Sequence, residues 1–193
     1  LVYLAQLVND GNNFSGKTIV LTANIDLGNK EWTPIGNTSD MKFAGTFDGQ
    51  GYTIRGLCIN ATTDNQGLFG YIDKRAIVQN LIVTGSVTTS KGFTGGIVGR
   101  STRSQGTVRN CGFYGTVTAT GTSGGVVGSG KAENCWYYSD GTASNLGVCG
   151  GTATNCVIIS SAEPMTADKL ETLKTAAPDT GKVWSWKAGD AYP

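Results

Sequence analysis

The chain has 193 residues, of which 29 are glycine and none histidine; charged residues make up 15% and the formal net charge is +1. Without imidazole there is no Ser-His-Asp or Cys-His nucleophile and no HExxH zinc helix, and a charge so close to zero leaves no electrostatic footprint for nucleic acid. No apolar run reaches the ~18 residues of a membrane span, while an apolar fraction of 39%, regularly distributed, points to a folded chain rather than a disordered one.

The sequence predicts a single domain over residues 1–193. At its start, Leu1, Leu4, Ala5 and Val8 have helical spacing, and Asn9-Asp10-Gly11 is a helix stop. Residues 1–11 are therefore expected to cap the open end of a repeat array. Residues 17–160 carry the repeats. Gly67-Leu-Phe-Gly70, Gly96-Ile-Val-Gly99 and Gly125-Val-Val-Gly128 recur 29 residues apart, and Gly147-Val-Cys-Gly150 follows after a shortened step of 22. A second element trails each copy: Gln79-Asn80-Leu81, Arg109-Asn110-Cys111, Glu133-Asn134-Cys135 and Thr154-Asn155-Cys156. Beyond each Asn, apolar residues alternate, as in Leu81, Val83 and Val87 or Cys111, Phe113 and Val117. Period two means strands.

Short strands at a fixed period with turns of variable length predict rungs that stack on one another. The fold expected is all-β, a right-handed parallel β-helix of about five to six rungs. Glycine is expected at corners that need positive φ. Asn tolerates the same conformation, and stacked Asn can bond along a column. Residues 163–193 are expected to form a C-terminal helix and a Trp-rich tail. Thr166 is the N-cap; Leu170, Leu173 and Ala177 share a face, Pro178 ends the helix, and Trp184 and Trp186 follow. Both chain ends read as cuts from a larger precursor.

The three GxxG copies resemble the GLUG motif. Upstream, Gly16-Lys-Thr-Ile-Val-Leu-Thr22, Trp32-Thr-Pro-Ile-Gly36 and Gly45-Thr-Phe-Asp-Gly-Gln-Gly51 resemble the segment that commonly precedes it. The resemblance covers nearly the whole chain; it departs at Asn145–Gly151, where the rung is shortened. It implies a parallel β-helix on the bacterial cell exterior, as in adhesin-like proteins and the non-catalytic part of IgA-cleaving metallopeptidases. It carries no established catalytic residues.

The chemistry available is sparse. Glycosidases need paired carboxylates ~5–10 Å apart, and β-helical lyases need a carboxylate cage for Ca²⁺. Between Gly67 and Ser160 the acids are Asp73, Glu133 and Asp140, at non-equivalent rung positions, and Asp48-Gly49 reads as a turn. Gly125–Ala132 has P-loop spacing, but Ala132 stands where Ser or Thr must ligate Mg²⁺. Cys111, Cys135 and Cys156 share an inward position and are expected to be free thiols, Cys58 points outward and Cys149 lies in a glycine-flanked strand, with no CxxC pair for zinc. No cofactor, metal or catalytic residue is therefore assigned. The sequons at Asn13, Asn37 and Asn60 carry no weight in a bacterial protein.

The functional hint is an outward stripe of Ile82, Tyr114, Trp136, Tyr138, Val157 and Ile159. Tyr114, Trp136 and Tyr138 could form a platform for sugar rings or a protein; the competing reading buries the stripe under the C-terminal helix and tail. The expected function is a non-catalytic structural or binding module of a secreted or surface-attached bacterial protein, with a host glycoprotein or glycan as partner. An accessory region of an IgA-type metallopeptidase and a polysaccharide-degrading enzyme are the alternatives.

Overall fold

Strands too short to form a sheet on their own can bury their inner faces only by pairing with their equivalents one turn away. The computed structural model, which describes residues 1–139, 148–160, 166–169 and 172, is built on that rule. Thr18–Val20, Thr46–Asp48, Ile77–Thr89, Thr107–Thr118, Lys131–Glu133 and Thr152–Thr154 form one parallel column, six strands deep. A second column runs through Ile25–Asp26, Thr53–Ala61, the latter parts of Ile77–Thr89 and Thr107–Thr118, then Trp136–Ser139 and Val157–Ser160. The GxxG segments make the third face, in Phe69–Ile72, Val98–Ser101 and Val127–Ser129. Ile35 bridges Phe69 at the start of that face and Cys149 bridges Val127 at its end. The fold is a parallel β-helix, as the repeat predicts.

The shortened repeat keeps its register. Trp136–Ser139 pairs residue for residue with Val157–Ser160, and Gly150 N–H donates to the Val127 carbonyl over 2.9 Å. Inside, equivalent residues stack: Ile54, Val83, Phe113 and Tyr137 in one column, Ile59, Val87 and Val117 in another, all buried. Each such side chain withdrawn from water is worth roughly 1.5–3 kcal/mol. The first column runs out at Ile158, which pairs with Tyr137 yet is 39% exposed, so the described interior is open at its C-terminal end.

At the other end the predicted cap is present. Helix α1, Val2–Asn9, buries Ala5 and Val8 against the core, with Leu1 and Leu4 packed beside them. Asn9 fixes its end to the first turn: Nδ2 donates to the Pro34 carbonyl, and Oδ1 accepts from the Gly36 and Asn37 amides. The expected C-terminal helix and tail lie largely outside the described residues. Of that segment, Ala167–Lys169 is helical and Thr166 Oγ1 accepts from Lys169 N–H at 3.3 Å, the N-cap contact expected of it.

The expectation about glycine holds in part. Gly36, Gly51 and Gly56 are among the glycines with positive φ, but the described GxxG glycines are not, and in the later repeats Asn80, Asn110, Asn134 and Asn155 take the left-handed corner, with φ between 50° and 54°. The motif glycines supply room instead. A methyl group on Gly96 would overlap the Phe113 ring, and one on Gly125 would overlap Tyr137. Those two rings stack across neighbouring rungs with centroids 6.2 Å apart. The glycines of the third face let large aromatics on the second face fill a narrow interior.

Candidate functional site

The outward stripe assembles as the alternation predicts. Ile82, Gly112, Trp136 and Val157 form one column on the second face, and Thr84, Tyr114, Tyr138 and Ile159 form the next. Of these, Ile82, Tyr114, Trp136, Tyr138, Val157 and Ile159 make a small apolar cluster separate from the core. Tyr114 and Tyr138 are half-buried and stack at 4.6 Å with their rings 14° from parallel.

The three-aromatic platform does not survive intact. Trp136 is fully buried, its indole filling the space above Gly112, where a methyl group would overlap it. Val157 and Ile159 are buried beside it. Gly112 leaves the indole room to lie against the sheet, and the burial of Val157 and Ile159 beside it takes this end of the stripe out of solvent. Of the predicted platform, Tyr114 and Tyr138 keep accessible surface. The cover proposed for the stripe, the C-terminal helix and tail, falls outside the described residues.

Beside this face, at the corner between first and second faces, lies a polar ladder. Asn80 Nδ2 donates to Asp48 Oδ1 (3.0 Å), Asn110 Nδ2 to Asn80 Oδ1 (3.2 Å) and Asn134 Nδ2 to Asn110 Oδ1 (3.1 Å). A parallel chain runs from Arg109 Nε to Gln79 Oε1 and from Gln79 Nε2 to Asp48 Oδ2, each 2.8 Å. Asp48 also accepts from the Gln50 amide, closing the turn the sequence predicts. Burial pushes its carboxyl up, but the hydrogen bonds from Gln50, Gln79 and Asn80 outweigh that and hold it below the usual 3.8.

Other carboxylates are engaged in the same way. Asp26 meets Arg55 Nε at 3.0 Å, Glu31 accepts from the Asn60 amide at 2.8 Å, Asp64 from the Gly92 amide at 2.9 Å, and Asp73 pairs with Lys42 at 3.6 Å. Each contact spans one turn of the solenoid. Sequence reasoning missed this role, because a brace across 28 to 31 residues is invisible until the rungs are in register. It also missed Arg100, whose guanidinium lies 4.1 Å from the Phe93 ring centroid and 5.6 Å from that of Tyr71.

The five cysteines are free thiols: Cys111 and Cys135 are buried and the other three half-buried. Burial pushes the Cys111 thiol up to about 12. Among the described residues no group of three or more His, Cys, Asp or Glu is placed to hold a metal ion. No described helix is long and apolar enough to cross a membrane.

No family model and no solved structure matches the chain. It is 32% identical over 138 residues to halomucin of Haloquadratum walsbyi, an alignment covering 66% of this chain and 2% of that protein. It is 42% identical over 91 residues to a protein of Evansella cellulosilytica described as a Gly-rich membrane protein, covering 47% of this chain and 10% of the other. The chain thus spans a small part of each relative.

Proposed function

We propose that this chain is a non-catalytic structural and binding module of a bacterial secreted or cell-surface protein, a member of the GLUG-repeat group. In this reading it is a stiff rod that presents the Tyr114–Tyr138 face to a glycan or a host glycoprotein. The observation that carries it is the use of Asp26, Glu31, Asp48, Asp64 and Asp73 as contacts between successive turns. A carboxylate held by an arginine or by backbone amides is committed to the scaffold rather than poised over a scissile bond. The names of the two relatives, a halomucin and a membrane protein, support an exterior address.

The test uses the purified chain on a polysaccharide panel and on a glycan array. No new reducing ends or unsaturated products are expected; sustained turnover would overturn the non-catalytic reading. Array binding is expected to fall at least tenfold in Tyr138→Ala, with the β-rich circular dichroism spectrum kept. Binding that survives both Tyr138→Ala and Tyr114→Ala would remove this face from the proposal.

A further inference from the structure

Cys111, Cys135 and Cys156 occupy one inner position on three successive rungs. Trp136 pairs with Gly112 and with Val157, so the residue before each lies in the same column. The three side chains are oriented alike. Each Sγ lies near the carbonyl two residues back: Arg109 at 3.2 Å, Glu133 at 3.2 Å and Thr154 at 3.3 Å. Each also lies near a carbonyl of the preceding rung: Val78 at 3.7 Å, Val108 at 3.5 Å and Ala132 at 3.5 Å. Repeated geometry of this kind spaces the sulfurs by the rung separation, roughly 4.8 Å.

That spacing is wrong for a disulfide, whose sulfurs sit ~2.05 Å apart on side chains that turn toward each other. It is also wrong for zinc, which wants four ligands in a tetrahedron. It does match two metal–sulfur bonds of roughly 2.3 Å laid end to end, the arrangement of a two-coordinate soft ion between two thiolate-type ligands. We propose that Cys135 and Cys156 form a linear binding site for a soft monovalent cation of the copper(I) and silver(I) class, lying along the solenoid axis.

The position suits such an ion. Cys156 is half-buried on the last described rung, where Ile158 of the same inner face is exposed, and this opens a route to the site. Cys135 is fully buried, and so supplies the water-excluded end. On binding, Cys156 loses its proton to solvent and Cys135 donates a sulfur lone pair with its proton retained. The thiolate and the cation then cancel, and no net charge is added to an apolar interior that would resist it.

The probe is silver(I), which needs no reductant, added to the full chain carrying Cys58→Ser to remove the outward thiol. One ion per chain is expected to resist competition by free methionine, to release about one proton and to raise Tm. X-ray absorption at the bound silver should show two sulfur neighbours in line. Cys156→Ser should weaken binding at least 100-fold and abolish the Tm rise, whereas Cys149→Ser should leave both in place. Cys135→Ala gives an independent check should Cys156→Ser fold poorly, and the absorption measurement needs neither variant. Undiminished affinity in folded Cys156→Ser, a single sulfur neighbour, or binding without proton release would each overturn the site.

Discussion

At the residue scale, the corner asparagines combine two properties that few side chains share. They accept the left-handed conformation, and their amides carry one donor and one acceptor for the ladder. Asn110 does both: its φ is 51°, and it is bonded to Asn80 on one side and to Asn134 on the other. Asn110→Ala should cost about 2–5 kcal/mol, from the partners left unpaired together with the strain of a Cβ at positive φ. Asn110→Gly removes the strain but not the lost bonds, so it should recover about 1–2 kcal/mol of that loss. Urea unfolding of the two variants measures the difference; equal stabilities would mean that the left-handed backbone carries no strain here.

At the scale of the element, Asp48 is where the strand Thr46–Asp48 meets the corner and where the ladder begins. Its folded carboxyl titrates below 3.8, so the folded state holds its proton less tightly than the unfolded chain does. The stabilisation is therefore fully present above about pH 4 and is lost as pH falls through the lower folded value. Asp48→Asn should flatten the acid limb of a stability–pH curve and lower stability at pH 7. An unchanged acid limb in that variant would assign the effect to other carboxylates. Asp26 is also lowered, by the Gly28 amide first and then by Arg55, but it is exposed and its share should fade in salt.

For the molecule as a whole, stability is a sum over rungs and their interfaces, and the interior rungs have neighbours on both sides. Ile77–Thr89 and Thr107–Thr118 pair along nearly their full lengths, whereas Thr18–Val20 pairs on one side with Thr46–Asp48. Amide hydrogen exchange should be slowest in Val78–Val87 and Val108–Val117 and fastest in Thr18–Val20, with Thr152–Thr154 next. Uniform protection across the rungs would show that the solenoid opens only as one unit.

The parts of this fold written in local pattern were readable from the sequence. The 29-residue recurrence of GxxG, the alternation after each Asn and the helical spacing of Leu1, Leu4, Ala5 and Val8 predict a parallel β-helix with an N-terminal cap, and the structure has both. Parity alone separated Cys111 and Phe113, on the inside, from Tyr114 and Trp136, on the outside. What parity could not supply is depth. Trp136 points outward and is nevertheless fully buried, its indole lying over Gly112 one turn below. Nor could a single rung reveal that Gly96 clears space for Phe113, or that Asp48 and Asp26 brace the turn beside them. The sequence by itself determined which side chains face in and which face out, since alternation is a property of one strand. Only the tertiary structure decided which of them touch, because in a solenoid the decisive contacts lie across the interior, as for Gly96 and Phe113, or one full turn away, as for Trp136 and Gly112.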